Sequence, residues 1–363
     1  MRLSNTSILI GLFVLNSIST CIAVDDKLER VLENVRAEEK LYENIEIFYE
    51  KHYKLHSKIN TIPEATATFV ERERYVHIAP CIFRNMTGRY TNISGEITNF
   101  SFLLGFDGEK RISLQNQANA NISNDDYNNI VTPHILLLDS ANISCPISKY
   151  LSADETLRNS VSYKNYDMSI NYICDEDVDL LSCSKIEIET WMKGEDRSKR
   201  SMRRIWLAHD RNYLPLRSIS YAYSHSKLHP VEECRVVRFS EILKDIWYPM
   251  EIQIRSFDAL SLEENKIILS HTKTIITNKV RLNPEYPKSF FRNIDIPKGV
   301  TVHIVKNGDI IKTYIQGGGN DEVKSSFAFN RIHIGLMLIL ATLAVVICVL
   351  IVRYLVRRRK RLE

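Results

Sequence analysis

Glycine is scarce in this chain, 12 residues in 363, and the motifs that depend on it are missing. Neither GxGxxG nor a P-loop occurs, so the clustered glycines that let a backbone approach phosphate are not there. A GxSxG elbow, an HExxH pair and a kinase signature are absent too. No CxxC spacing is present, which removes zinc ribbons and thioredoxin-type redox sites. No catalytic residue, metal site or cofactor is nominated, and the chain reads as a non-enzyme. It also lacks a charge of one sign over its bulk. Of the formal +4, Arg2 carries one charge and segment 353–363 a net five, which leaves −2 for residues 3–352. A nucleic-acid partner needs a basic face on the folded part and loses its support. With 44% hydrophobic and 25% charged residues the chain is too apolar for disorder and long enough for a large core.

Two long apolar runs set the expected topology. Residues 8–18 follow Arg2 and lead to the small residues before Ala23, the pattern of a secretory signal, so residues 1–23 are expected to be removed after Ala23. An uncleaved anchor and a lipidated Cys21 are the competing readings. Ile334 to Val352 carries no charge and would span a hydrocarbon core as a helix over 332–352. Arg353 and the cluster Arg357, Arg358, Arg359, Lys360 and Arg361 follow it as a basic tail, 353–363. Lys and Arg mark the cytoplasmic flank, so residues 24–316 are expected outside the cytoplasm of a single-pass protein in the cell membrane, with the C-terminus inside. The linker 317–331 opens on Gly317, Gly318 and Gly319.

Five cysteines fall in the exported part, Cys81, Cys145, Cys174, Cys183 and Cys234. The odd number leaves at least one thiol unpaired within the chain. Cys174 and Cys183 lie closest in sequence and could form a disulfide between neighbouring strands; small buried thiols are the alternative. Sequons begin at Asn85, Asn92, Asn99, Asn121 and Asn142, a glycan-bearing surface if the chain passes through a secretory pathway that uses them.

Leu28, Val31, Leu32 and Val35 recur at helical spacing, which predicts one amphipathic helix over 25–40. The period then changes to two. Strands are expected over 44–55 and 67–79 with charges on the opposite face, and Asp107-Gly108 reads as a tight turn between 102–106 and 111–114. Residues 116–130, rich in Asn and Asp, read as loop, and 131–140 and 147–151 as short apolar, helix-like pieces. Further strands are expected at 168–174, 184–192, 203–209, 215–223, 234–240, 246–256 and 267–280. So many alternating strands beside few helices predict an α+β fold with a large curved antiparallel sheet packed on the N-terminal helix.

The weak chemical signals have plain readings. His225 and His229 stand four apart but in a turn-like segment, and the carboxylates Asp175, Glu176, Asp177 and Asp179 lack the Gly and Glu of a calcium loop. Trp191, Trp206, Tyr213, Tyr221, Tyr223 and Trp247 fall on expected strands or their ends. They are the candidates for lining a ligand cavity in the concavity of the sheet, ordinary core filling being the alternative.

Six stretches carry a resemblance. They are VRAEEKLYENIEIFYE (35–50), GFDGEKRISL (105–114), TPHILLLDSANISCPISKYLS (132–152), IWLAHDRNYLPLR (205–217), IWYPMEIQI (246–254) and NPEYPKSFFRNIDIPKGVTV (283–302). In this order they resemble a family of uncharacterised exported proteins of planctomycete-type bacteria, whose sheet is similar to the LolA and LolB lipoprotein-carrier fold. The resemblance implies a half-barrel over helices, with a hydrophobic cavity suited to acyl chains. It implies no catalytic residues. A shuttling carrier must be soluble, whereas this chain carries an apparent tether. The expected function is therefore a fixed, non-catalytic module of the cell envelope that binds a lipid, lipoprotein or other amphiphile; the alternative is a structural or interaction module with a filled core and a protein partner.

Overall fold

The computed structural model describes residues 26–56, 68–91, 95–125, 131–138, 145–158 and 163–318. The expected signal, membrane helix and basic tail lie outside them, as do most of the linker and the sequons at Asn92 and Asn142. No helix among the described residues is long and apolar enough to cross a membrane.

Helix α1 covers 26–39 and runs through a 3-10 turn, Lys40–Tyr42, into the sheet. Its predicted stripe is its buried face, with Val31, Leu32 and Val35 inside. The next residues form β1 (Asn44–Leu55), β2 (Thr68–Ile78), β3 (Cys81–Thr91), β4 (Ile97–Phe106), β5 (Arg111–Gln115) and β6 (Asn119–Ser123), each antiparallel to the one before. Three short helices follow, α2 (Pro133–Leu136), α3 (Ile147–Leu151) and α4 (Glu155–Arg158). They carry the chain to the far edge of the sheet, where β7 (Tyr166–Val178) starts a second meander. It runs through β8 (Leu181–Met192), β9 (Ser201–Ala208), β10 (Leu214–Ala222), β11 (Glu232–Leu243) and β12 (Ile246–Phe257). After α5 (Ala259–Glu263) it ends in β13 (Leu269–Leu282), which pairs with β1.

The chain then crosses back. Segment 283–300, with helix α6 (Lys288–Arg292), leads to β14 (Thr301–Lys306) and β15 (Asp309–Ile315). The result is one open sheet of 15 strands in the order β15-β14-β6-β5-β4-β3-β2-β1-β13-β12-β11-β10-β9-β8-β7.

The expected antiparallel sheet needs one correction. β14 runs parallel to β6, because a chain returning across the sheet from β13 reaches that edge in the same direction as β6. β6 itself occupies part of the predicted loop 116–130, since Ala120 and Ile122 pack against Val302 and Ile304 across the parallel pair. Charges are not confined to one face either. Glu71 and Glu73 share the face of Tyr75, opposite Arg72 and Arg74, because Lys51 and Arg84 neutralise them there.

Packing is divided in space. Helices α1, α3 and α4 contribute Val31, Leu32, Val35, Ile147, Leu151 and Leu157 to a core with Ile186, Ile188, Ile205 and Leu207 of β8 and β9. Burying each such aliphatic side chain is worth about 1.5–3 kcal/mol. Toward β4 and β3 the covering piece is α6. The Cβ that Gly105 lacks would stand 2.2 Å from the Phe291 carbonyl oxygen, so the bare backbone of β4 is what admits α6.

Candidate functional site

At the foot of α1, where β2 turns into β3 and β4 into β5, the structure forms an open cavity of about 620 Å³. Its apolar lining comes from Pro80, Ile82, Phe106 and Pro146, and its charged lining from Arg36, Glu39, Lys40 and Glu43. His77, Thr132 and Ser148 also line it. Mixed lining and this volume are what a site for a small amphiphilic molecule requires.

Local structure explains each position. Glu39 ends α1 and is 9% exposed. Its carboxylate accepts from the backbone N–H of Ile147 at 2.6 Å and of Ser148 at 3.4 Å, tying α1 to the start of α3. Burial pushes its pKa up, against the pull of Ser148, those amides and Arg36. His77 lies on the inward face of β2, opposite Ile45 and Ile82. Burial lowers its pKa to about 4, the backbone of Glu43 opposing, so the ring is neutral at pH 7. Asp107 fixes the neighbouring β4–β5 turn. It accepts from the N–H groups of Glu109 at 3.0 Å and Lys110 at 2.8 Å and from Arg292 at 2.5 Å. Against the opposing effect of burial, these donors hold its pKa down to about 2.

Farther up the same face the central strands carry a buried ionic ladder. Arg84 grips both oxygens of Glu73, at 2.6 and 3.0 Å, and the Tyr49 hydroxyl donates to Glu73 at 2.5 Å. Burial alone would raise the Glu73 pKa; Arg84, Lys51 and Tyr49 outweigh it and lower it. Lys51 pairs with Glu71 at 3.0 Å. Beside them Lys273 is pushed down to about 7, first by burial and then by the charge of Lys51, with Glu71 opposing. Above this row Tyr53, Phe69 and Phe100 form an aromatic layer, Phe69 and Phe100 stacked at 5.3 Å.

Comparison with known proteins adds little to this geometry. No protein-family model matches the chain. No curated protein sequence matches it. Among solved structures, a DUF1329 family protein from Desulfovibrio piger aligns at 10% identity and a TM-score of 0.37, over 73% of this chain and 96% of its own. A putative outer membrane lipoprotein-sorting protein domain from Vibrio parahaemolyticus aligns at 11% identity and a TM-score of 0.37, over 73% of this chain and 95% of its own. Likenesses this distant carry no argument about what the chain does, and the site is read from its own residues.

The structure does not gather the six aromatic candidates into one cavity. Trp191, Trp206 and Tyr221 stand on the face of β8–β10 opposite Ile186 and Ile205, hence away from the helices. A cation lies over each ring: Arg197 on Trp191, Lys185 and Arg217 on Trp206, and Arg204 on Tyr221. Tyr223 lies under Arg200, and Trp247 under Arg211 at 3.7 Å. Tyr213 accepts from Asn34 of α1 at 2.8 Å, which pins the helix. Only Tyr221 lines a described pocket, one of about 220 Å³ with Tyr150 and Tyr163.

Cys174 and Cys183 are free thiols here. Cys174 donates to Glu176 at 3.7 Å, and Cys183 to the Leu181 carbonyl at 3.4 Å. His225 pairs with Glu263 of α5 at 2.7 Å. Among the described residues no group of three or more His, Cys, Asp or Glu could hold a metal ion.

Sequence reasoning missed Glu39, His77 and Thr132. The signal available for His77 was its phase, since it continues the row Phe69, Glu71, Glu73, Tyr75 on one face of β2. That row mixes charge with apolar surface, so alternation alone does not say which side is inward.

Proposed function

We propose that the chain is a membrane-anchored, exported and non-catalytic domain that binds an amphiphile, with the bilayer itself as a partner through helix 332–352. The domain stands outside the cytoplasm and the C-terminus inside, in a planctomycete-type cell envelope. The observation that carries the binding reading is the cavity at the foot of α1, which sets Ile82, Phe106, Pro80 and Pro146 against Arg36, Lys40 and Glu43. An acyl chain would take the apolar lining and a polar group the charged one. Anchoring rests on the uncharged run Ile334–Val352 and the cations after it.

Native mass spectrometry after mild extraction tests the reading, with a fluorescent acyl probe as the second arm. Co-purifying lipid-sized mass and saturable probe uptake are expected. Protein that is consistently empty and takes up no probe would instead favour an envelope interaction module with a filled core, a reading that draws on the closed packing of α1 against β8 and β9. Anchoring is tested apart from binding: alkaline carbonate should leave the intact chain in the membrane pellet, and release into the wash would end that part of the proposal.

A further inference from the structure

The sheet ends in two unlike edges. β7 carries Asp167, Asp175, Glu176 and Asp177 and no lysine or arginine. β15 belongs to a segment, 296–318, in which Lys298, Lys306 and Lys312 stand against Asp309 alone. A free edge is normally blunted by charge or covered, because its unpaired N–H and C=O groups invite pairing. β15 instead holds isoleucines toward the outside: Ile310 is 45% exposed, Ile311 61% and Ile315 43%.

Local structure puts them there. Asn307 and Gly308, both at positive φ, make the tight turn of the β14–β15 hairpin. Asp125 fixes that turn, its carboxylate accepting from Asn307 N–H at 2.9 Å and from Gly308 N–H at 3.4 Å. Beyond it Ile310 pairs with Val305 and Lys312 with Ile304, so Ile311 is passed over as a bulge residue.

What covers this edge follows from where the chain goes next. It leaves the sheet from β15, and 13 residues, 319–331, separate Gly318 from the expected helix over 332–352. Fully extended, they reach roughly 45 Å. The β7 edge lies fourteen strand spacings away along the sheet, at about 4.8 Å each. Of the two edges, an anchored chain therefore keeps β15 by the bilayer.

Charge agrees with that placement. The Cβ that Gly317 lacks would stand 3.0 Å from Lys298 Cγ, which sets this lysine at the exit from the sheet. Lys306 is exposed at the hairpin turn. Cations at both ends of an apolar edge complement an anionic lipid surface. A second copy paired along β15 would instead bring like charges together. Depth is limited by the backbone: hydrocarbon would strand the free N–H and C=O groups of β15, whereas the headgroup layer supplies water.

We propose that the β14–β15 hairpin lies on an anionic bilayer surface, Ile310 and Ile311 entering the headgroup layer and Lys298 and Lys306 meeting lipid phosphates. The proposal rests on the anchoring reading above and adds to it a contact of the folded domain.

The test uses the full chain, one per nanodisc, in phosphatidylcholine mixed with phosphatidylglycerol, with and without lipid brominated near the top of the acyl chain. Ile311→Trp and Ile310→Trp report on the edge. Leu180→Trp, at a fully exposed position in the β7–β8 turn, is the control. Emission of the native Trp191, Trp206 and Trp247 is subtracted. Rings about 5–10 Å deep should lose most of their emission to the brominated lipid in both edge variants, while Leu180→Trp keeps its own. Each cation at such a surface is worth about 5-fold in partition. Lys298→Glu with Lys306→Glu, or phosphatidylcholine alone, should therefore abolish the quenching.

Unfolding midpoints of the variants should match wild type, since the replaced side chains are exposed; Ile310→Trp carries the test if Ile311→Trp does not fold. Absent quenching in a chain that stays with its disc would overturn the hairpin contact and leave anchoring standing. A chain that parts from the disc on gel filtration would overturn both. Quenching that survives the lysine reversals would overturn the anionic surface as partner. Quenching that disappears when two chains share a disc would assign the edge to a second copy and overturn it too.

Discussion

On one side of β1, among β7–β13, the covering elements are α1, α3 and α4, and they lie on the face that carries Ile186, Ile205 and Leu207. On the other side, over β2–β4, the covering piece is the crossing segment with α6, and it lies on the opposite face. There Phe290 packs on Phe83 at 4.6 Å, and Arg74 stands among Phe48, Phe83, Tyr286 and Phe290. The register followed strand by strand from Ile205 through Ser218, Cys234, Ile254, Lys273 and Tyr53 to Phe69 shows that these are two faces of one sheet. The difference in what is buried follows. The helix-covered half is closed by aliphatic packing. The face of the other half that turns away from α6 buries paired charges beside the apolar core of Tyr49, Tyr75, Ile82 and Leu104. Aliphatic packing tolerates little loss of volume, and a charge ladder tolerates little loss of a partner.

That contrast can be broken or sharpened by mutation. The largest effect belongs to the ladder: Glu73→Ala removes the buried carboxylate that Arg84, Lys51 and Tyr49 converge on and should cost about 3–5 kcal/mol, read as a lower urea midpoint. Ile205→Ala in the aliphatic half should cost about 3 kcal/mol by leaving a cavity, with the same readout. Gly105→Ala pushes a methyl group against the Phe291 carbonyl and should cost about 1–3 kcal/mol; increased hydrogen exchange confined to 283–300 would place the damage at α6.

The next effect is a pH slope. With Lys273 held near 7 in the fold, unfolding takes up a proton between pH 7 and the ordinary lysine range, so this group makes stability rise with pH there. The slope from it is at most about 1.4 kcal/mol per pH unit. Measured from pH 7 to about 8.5, below the ordinary range of most thiols and phenols, the slope should flatten in Lys273→Met and stay in Ile205→Ala. The smallest effect is at the surface of the helix-covered half: Trp191→Leu removes the ring under Arg197 and should cost about 0.5–1 kcal/mol, with no change in the ladder's pH slope.

Much of the sheet was legible in the sequence because its signals are local. The stripe from Leu28 to Val35 marked α1, alternation marked β1 and β2 within a residue or so, and Asp107-Gly108 marked the β4–β5 turn. What escaped depends on distant partners. β3 mixes Arg84, Asn85 and Arg89 with Ile82 and Met86, and it becomes a strand because β2 and β4 lie on either side. β6 looks like an Asn-rich loop until β14 arrives from 180 residues away. The site was less legible still. Aromatic residues drew attention to β8–β12, whereas the described cavity at the foot of α1 is built from turns, a helix end and one histidine, where no periodicity operates.

The parallel pairing of β14 with β6 also fixes how the domain would carry a load. Anything that pulls on the chain beyond Gly318 acts first on β15, an edge strand bonded to β14 alone. An edge strand pulled away from its neighbour opens one rung at a time, whereas a strand held on both sides must release two rows together. Tension from that end would strip the β14–β15 hairpin and leave the α1 cavity and the ionic ladder in place, so the outermost hairpin is the mechanical fuse of the molecule.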